Sequence, residues 1–409
     1  MKGITSIVAQ CESEATVAAA QGTKAEEQGF DTAAVATISS AHFVHDVYPA
    51  FLAPLLPLII ANLNIPLAAA GGLATIFRTG SLVQPFLGLW ADRADTRYFV
   101  IAAPTVTALC MSLLGIAPNY LSVAALLVVA GLSSAAFHPS AAASITRASG
   151  RTWGRGSSLY MFGGEMGRSV GPIFIVEVIT WLGLERSYWA AVPGVLFSLV
   201  LYRQMWRGGS RHMSGSSVAS IWAAVKEQRK PLLLLSGLIL FRSTAVQSIA
   251  TFYPTFLIES GSSLVYAGFA LSVYELAGAG GALAGGTLSD IFGRRRLMLV
   301  SQLLSGPLLY VALSLSEGPV AVAVLAVSGA IALSASPVQL TLAQELLPGG
   351  RSTASGIVFF LGFEGTLVST LVVGVVADWI GLGPALGGAV LASMLSIPFT
   401  LALPEPRRA

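Results

Sequence analysis

Charged residues are scarce in this sequence. Asp, Glu, Lys and Arg make up 11% of its 409 residues, whereas soluble proteins carry about 25%. Hydrophobic residues make up 54%, and the mean hydropathy is +0.75. This composition excludes an ordinary soluble protein. The net charge of +3 is too small to indicate a nucleic-acid partner, and we expect none.

Cysteine is scarcer still. The two cysteines, Cys11 and Cys110, lie in the N-terminal tail and in an apolar run, so they predict no disulfide and no metal cluster. The sequence also contains no phosphate-binding glycine loop and no Ser-His-Asp arrangement. We therefore expect no enzyme activity, no cofactor, no metal and no ATP-driven pump.

Long apolar runs dominate the rest of the chain. A membrane helix needs about 20 mostly apolar residues, and twelve runs qualify. The long polar interval from Trp206 to Pro231 divides them into six plus six. The sequence therefore predicts an all-α integral membrane protein with twelve transmembrane helices in two pseudo-symmetric six-helix bundles. The predicted spans are residues 34–61, 69–91, 98–116, 120–146, 155–182, 187–205, 232–258, 265–290, 296–315, 319–345, 352–379 and 384–403.

The basic residues indicate how the chain is oriented. Of 23 Lys and Arg, three lie in the interior of spans and Arg186 lies in an odd-to-even connection, which leaves 19 (23 − 3 − 1) at the tails and the even-to-odd connections. Basic residues concentrate on the cytoplasmic side of membrane proteins, so both termini are expected there. The chain is predicted to begin with a disordered cytoplasmic tail at residues 1–33, which has no signal peptide. The two bundles are predicted at residues 34–205 and 232–403, with a cytoplasmic linker at 206–231 between them and a short cytoplasmic tail at 404–409.

A loop motif of glycine, carboxylate and arginine closes one apolar run in each half. The aspartates of its two copies are 198 residues apart (290 − 92). Because charges are costly in hydrocarbon, each copy is expected to mark the cytoplasmic mouth of a helix and to act in gating. The residues are Gly88, Asp92, Arg93 and Arg97, and Gly286, Asp290, Gly293 and Arg294.

The repeat extends beyond this motif. Trp181 aligns with Trp379, and Pro139 with Pro337, at the same offset of 198. Two parallel bundles related by an axis along the membrane normal place a binding site between them, near mid-depth.

These features resemble the major facilitator superfamily of secondary transporters over residues 34–403. The sequence departs from the superfamily pattern at two places. Asp95 stands where the first loop motif usually has glycine. Ile175-Val176 stands where the glycine-proline motif of antiporters usually continues with glycines. Within the superfamily, three stretches resemble the fosmidomycin-resistance efflux family: His42-Phe-Val-His45-Asp46 with Pro54-Leu-Leu-Pro57, then Gln84-Pro85 with Gly88 and Asp92, then Ala136-Phe-His138-Pro139 with Gly163-Gly164, Gly167 and the antiporter-like Gly171-Pro172.

Ionisable groups at depth are the candidates for proton coupling, because an unpaired charge there is costly. His42 and Asp46 are four residues apart and share a helix face, with His45 about a third of a turn away. Glu165 is placed to pair with Arg168, whereas its counterpart Glu364 lacks a local cation. The alternative for the two histidines is that they form hydrogen bonds with their neighbours and never change charge. The expected proton carriers are Asp46, Glu364, Glu165, His42 and His45.

Arginines near the middle of spans are the candidates for substrate binding. Each either neutralises an internal carboxylate or offers its guanidinium to an anionic substrate. His138 precedes Pro139 and could instead only support a helix bend. The expected substrate-binding residues are Arg78, Arg242, Arg168, His138 and Glu275.

The resemblance implies a secondary active transporter that exports a small drug-like or anionic compound by proton-coupled alternating access. Two alternatives stay open: a proton symporter that imports an organic acid or metabolite, and a transport-inactive membrane sensor or assembly partner. The expected partners are a small-molecule substrate, protons and the lipid bilayer. The chain is expected to be a monomer in a bacterial inner membrane.

Overall fold

Helices account for all of the regular secondary structure in the described part of the chain. The computed structural model describes residues 30–91, 95–150, 153–205, 225–315, 317–346 and 351–403. The predicted all-α fold class is confirmed within these ranges.

In the first half, most predicted spans correspond to one helix, and the first two are each interrupted. Short 3-10 turns lie at Pro49–Phe51, Gly80–Val83, Leu114–Ile116 and Leu184–Ala191. The α-helices are α1 Thr32–Val47, α2 Leu52–Leu63, α3 Leu67–Thr79, α4 Gln84–Ala91, α5 Arg97–Ser112, α6 Tyr120–Ser149, α7 Trp153–Leu182 and α8 Val192–Met205.

In the second half, the tenth and twelfth predicted spans are each interrupted. The helices are α9 Arg229–Glu259, α10 Leu264–Phe292, α11 Arg294–Ser314, α12 Pro319–Ser334, α13 Ser336–Leu346, α14 Arg351–Ile380, α15 Leu382–Ser393 and α16 Ser396–Ala402.

Nine helical segments within the described ranges are long and apolar enough to cross a membrane. Each coincides with one of the twelve predicted spans, and the other three stay predictions. The second predicted span overlaps the shorter apolar helix Leu67–Val83. The fifth corresponds to α7, whose 30 residues include several charges, and the sixth to α8, which has 14 residues.

The helix boundaries follow from identifiable residues. At the start of α6, Asn119 Oδ1 accepts a hydrogen bond from the Ser122 backbone N–H at 3.0 Å, and Ser122 Oγ accepts one from the Asn119 N–H at 3.2 Å. This reciprocal cap satisfies two N–H groups that the helix leaves free. Gly183 and Gly381 follow α7 and α14 at φ 86° and 89°. Only glycine adopts this backbone readily, so the repeat extends to the turns.

The first predicted span is broken beside Pro49. Helix α1 ends at Val47, and a 3-10 turn at Pro49–Phe51 leads into α2. Proline has no backbone N–H, which removes a helical hydrogen bond at this point. The break lies directly after Asp46 and therefore next to the charged cluster described below.

The two halves pack together mainly toward one side of the molecule, although α4 also contacts α14. We call the side at which α1 begins and α16 ends the terminal side, and the opposite side the far side. Helix α3 packs against α14, α7 against α10, and α2 against α9. A Cβ at Gly71 would overlap the Thr370 carbonyl oxygen, and one at Gly374 would overlap that of Leu67. The backbones of α3 and α14 therefore touch directly near the far side.

The apolar cores reflect the same asymmetry. One buried cluster joins the halves and includes Leu55 of α2, Phe252 of α9 and Leu386 of α15. Two further clusters lie toward the terminal side, one in each half. The first contains Ile38 and Ile145, and the second contains Leu235, Met298 and Leu342. The halves thus share a core at the far side and have separate cores at the terminal side.

Candidate functional site

Helices α1 and α7 are in backbone contact where the charged residues lie. Gly163, Gly167 and Gly171 face α1, and a Cβ on any of them would overlap one of its carbonyl oxygens. Gly164 faces the imidazole of His42, and a Cβ there would overlap the ring. Only residues without a side chain permit this approach. The glycines therefore set the position of the His42 side chain relative to α7.

His42 connects the Asp46 carboxylate with a backbone carbonyl of α7. His42 Nε2 lies 3.3 Å from Asp46 Oδ2, and His42 Nδ1 lies 2.7 Å from the Tyr160 carbonyl oxygen. Because a carbonyl oxygen can only accept, Nδ1 carries the hydrogen and donates it. Nε2 then faces a carboxylate oxygen, and two lone pairs at this distance repel unless a positive charge lies between them. The predicted shared face of His42 and Asp46 is confirmed, and it forms a site for one positive charge.

His138 approaches the same carboxylate from α6. Its Nε2 lies 3.8 Å from Asp46 Oδ1 and 3.2 Å from the hydroxyl oxygen of Ser134. The facing ligand atoms of His42, Asp46 and His138 all lie within 4.8 Å of one another. The His138 side chain is 27% exposed, against 6% for Asp46. His138 thus forms the accessible edge of a buried two-imidazole, one-carboxylate cluster.

Arg168 contacts three carboxylates on three different helices. Its guanidinium pairs with Glu165 on α7, and it lies 3.6 Å from Asp46 on α1 and 3.8 Å from Glu275 on α10. The predicted Glu165–Arg168 pair is confirmed. The contact with Glu275 was not predicted, and it crosses from the first half to the second. One guanidinium therefore links the His42–Asp46 site to the interface between the halves.

His45 lies beside this cluster but does not bond it. It is fully buried, and its ring stacks on Phe137 with centroids 4.1 Å apart. Within the described residues, neither ring nitrogen has a hydrogen-bond partner. Its expected role in proton coupling stays a prediction, and the structure places it in packing contact only.

The two mid-span arginines have different surroundings. Arg78 lies over the Phe77 ring at 5.5 Å and close enough to Asp46 to interact electrostatically. Arg242 donates to the Ala332 carbonyl oxygen and, at 3.3 Å, to the Ser336 hydroxyl at the junction of α12 and α13. Both of these partners are neutral, so among the described contacts Arg242 has no ion pair that compensates its charge. Their roles in substrate binding stay predictions.

The carboxylates of the second half are only partly described. Glu275 is 8% exposed and belongs to the Arg168 network. Glu364 lies on α14, but its side chain falls outside the described part of the structure. Its expected role as a proton carrier therefore stays a prediction.

The second copy of the loop motif forms an ion-paired group at the terminal side. Arg294 pairs with Glu345 of α13 and lies 3.9 Å from Asp290. Gly293 adopts a φ of 96° between α10 and α11, which explains a glycine at that turn. The motif thus ties the α10–α11 connection to α13, at the end of the tenth predicted span.

The first copy is described in part. Arg97 pairs with Asp95 at 2.7 Å and donates to the Met205 carbonyl oxygen at 3.3 Å. Asp92 and Arg93 lie outside the described residues. Among the described residues, a Cβ on Gly88 would lie 3.9 Å from Pro139, and one on Gly286 would meet no atom within 4 Å. Tight packing therefore does not explain either motif glycine.

Sequence reasoning missed the part played by Asp378. Its carboxylate accepts hydrogen bonds from the backbone N–H groups of Leu67 and Ala68 at the start of α3. The local signal was indirect. The residue before α3 is Pro66, which offers no side-chain cap, so the first N–H groups of that helix need an acceptor from elsewhere.

The family is shown by comparison with known proteins. The family model described as Major Facilitator Superfamily matches residues 38–370 and 235–409. The chain belongs to this superfamily and is a multi-pass membrane protein. Membrane transport is the activity of the family.

Several individual proteins are similar over most of their length. An uncharacterized MFS-type transporter, YfnC of Bacillus subtilis (strain 168), is 28% identical over 88% of this chain and 90% of its own. The fosmidomycin resistance protein of Escherichia coli (strain K12) is 27% identical over 83% of this chain and 85% of its own. These relatives are named as transporters or for drug resistance, and none is named as an enzyme.

Solved structures share the fold. A bacterial homolog of the human lysosomal transporter Spinster, in an inward-facing and unoccupied conformation, superposes with a TM-score of 0.71 at 15% identity, covering 92% of this chain and 96% of that one. The nucleoside transporter NupG superposes with a TM-score of 0.68 at 14% identity, covering 90% and 98%. At this identity the likeness concerns the fold alone.

Proposed function

We propose that this chain is a secondary active transporter that exports a small drug-like or anionic compound in exchange for protons by alternating access. The observation that carries the proposal is the charged network from His42 and Asp46 through Arg168 to Glu275. It joins a site for one positive charge to a contact between the two halves. A positive charge bound between His42 and Asp46 can thereby strengthen or weaken the contact between the halves.

The coupling step follows from the contacts. When a proton lies between His42 and Asp46, the carboxylate charge is compensated, and the pull of Asp46 on Arg168 weakens. Arg168 then pairs with Glu165 and Glu275 alone. When the proton leaves, Asp46 attracts the guanidinium again and the contact across the halves loosens. The site thus exchanges one proton for one rearrangement at the interface.

The anionic nature of the substrate is supported by Arg242 and by one relative. Arg242 has neutral partners in the described structure and retains a charge that an anion can use. The similar Escherichia coli protein is named for resistance to fosmidomycin, a phosphonate. We propose a bacterial inner membrane location with cytoplasmic termini, and a monomer whose partners are the substrate, protons and lipid.

A drug-susceptibility panel in an efflux-deficient bacterial host tests export. The panel includes phosphonate antibiotics, and the chain is compared with Asp46→Asn and with Glu177→Gln, an exposed carboxylate on α7 that bonds Trp181. We expect resistance to at least one compound with the unchanged chain and with Glu177→Gln, and its loss with Asp46→Asn. Increased sensitivity would indicate the import alternative. Equal phenotypes for all three chains would indicate the sensor alternative.

A further inference from the structure

We propose that His42, Asp46 and His138 form a binding site for a divalent transition-metal cation of borderline character, such as Zn²⁺, Co²⁺ or Ni²⁺. The cation would occupy the position between the two imidazoles and the carboxylate. Two imidazole nitrogens and one carboxylate oxygen are a donor set that these ions prefer, with a fourth position left for water or substrate. The inference goes beyond transport, because it concerns a ligand that no relative's name assigns.

The distances fit such an ion after a small adjustment. Ligands at about 2.0–2.1 Å in a tetrahedron lie about 3.3–3.4 Å from one another. His42 Nε2 and Asp46 Oδ2 are already 3.3 Å apart, and His138 Nε2 and Asp46 Oδ1 are 3.8 Å apart. All three ligand atoms lie within 4.8 Å. A small rotation of the partly exposed His138 ring toward Asp46 and His42 therefore closes the site.

The contacts of the His42 ring with Tyr160 orient this imidazole toward the proposed metal position. His42 donates its Nδ1 hydrogen to the Tyr160 carbonyl oxygen at 2.7 Å, which turns the Nε2 lone pair toward Asp46. The His42 ring also stacks on Tyr160 with centroids 3.9 Å apart. A backbone carbonyl behind a ligating histidine is the usual way in which proteins fix tautomer and orientation. The first ligand is thus oriented before any ion binds.

The charges around the site favour a cation. Asp46, Glu165 and Glu275 are three carboxylates, and Arg168 contacts all of them. Arg78 adds a second positive charge at longer range. Arg168 retains Glu165 and Glu275 when a metal takes Asp46, so the ion displaces one of its three contacts without leaving the guanidinium unpaired. His45 stacks beside the cluster and supplies no ligand.

Cobalt binding to the purified full-length chain in lipid nanodiscs tests the proposal. Four-coordinate Co²⁺ absorbs visible light far more strongly than hydrated Co²⁺, so the spectrum reports coordination directly. The variants are His138→Gln, which is partly exposed, and Asp46→Asn, which preserves shape. The matched control is His212→Ala, which removes the histidine of the inter-bundle linker, outside the described residues. Circular dichroism and gel filtration confirm that each variant is folded.

We expect one four-coordinate Co²⁺ per chain, displaced by Zn²⁺, with at least about tenfold weaker binding in both site variants and unchanged binding in His212→Ala. Absence of the four-coordinate spectrum in the folded chain would overturn the proposal. Binding that survives in His138→Gln, or that disappears in His212→Ala, would also overturn it. Because no transport is measured, a chain that binds Co²⁺ but exports nothing would contradict only the proposed function.

Discussion

The Asp378 carboxylate on α14 accepts hydrogen bonds from the backbone N–H groups of Leu67 and Ala68 on α3, at 2.8 and 2.9 Å. The two helices belong to different halves, so a side chain of the second half caps a helix of the first. A carboxylate at a helix N-terminus is also favoured by the helix dipole. This contact lies at the far side, where the backbones of α3 and α14 already touch. It holds the halves together at that face.

Asp378→Ala is expected to open the far side. Loss of a helix N-cap costs about 0.5–2 kcal/mol, which here shifts the equilibrium between closed and open far-side states by about two- to thirtyfold. The measurement is the distance distribution between spin labels at Asn62 and Ser260, after replacement of both native cysteines by serine. The matched control is Glu177→Gln, whose carboxylate bonds within α7. An unchanged distribution in Asp378→Ala would show that the cap does not hold the halves.

Gly164→Ala is expected to reduce transport at least about tenfold, the equivalent of about 1.4 kcal/mol, while the chain still folds. The added Cβ would overlap the His42 ring and push it away from Asp46. Gly280→Ala is the matched control, because a Cβ at that position on α10 meets no atom of the described residues within 4 Å. Initial rates and thermal stability are measured for both. Normal rates in Gly164→Ala would show that the position of His42 does not matter for transport.

Arg168→Gln is expected to lower stability, because it leaves three carboxylates near one another without their shared cation. Removing one partner of a buried ion pair lowers stability by about 3–5 kcal/mol. Because the Arg168 side chain is partly exposed, we expect a loss of about 3 kcal/mol or less. Adding Glu275→Gln should restore part of the loss, since one of the unpaired charges is removed. Thermal unfolding in detergent measures both, with Arg203→Gln on the exposed side of α8 as control. Additive losses in the double variant would contradict the shared network.

Glu345→Gln is expected to slow transport more than Asp290→Asn does. Arg294 pairs directly with Glu345, whereas Asp290 is 3.9 Å away with a side chain that is 74% exposed. An exposed pair contributes little. Because both groups lie at the terminal side, away from Asp46, the maximal rate should fall while the substrate KM changes little. A large rise in KM at a normal maximal rate would contradict a gating role for this motif.

Periodicity within one helix predicted several contacts correctly. His42 and Asp46 were placed on one face by their spacing, and Glu165 and Arg168 were expected to pair. These are relations between residues three or four positions apart. Such neighbours are fixed once the segment is helical, whatever the helix packs against.

Contacts between helices were not predictable in the same way. His138 reaches Asp46, Arg168 reaches Glu275, and Asp378 reaches Leu67 only because the helices have a particular offset and rotation. That register depends on where glycines allow backbones to touch, as Gly167 does against α1. The repeat in the sequence indicates that two bundles exist, but it does not specify how far one helix slides along another.

Gradient-driven transport in everted membrane vesicles tests the coupling role of Asp46 most directly, using the compound that the susceptibility panel identifies. The unchanged chain should accumulate the labelled compound only while an imposed pH gradient lasts. Asp46→Asn should still exchange labelled for unlabelled compound across the membrane but should no longer accumulate it. Accumulation that persists after the gradient has collapsed, or accumulation by Asp46→Asn equal to that of the unchanged chain, would contradict proton coupling through the His42–Asp46 site.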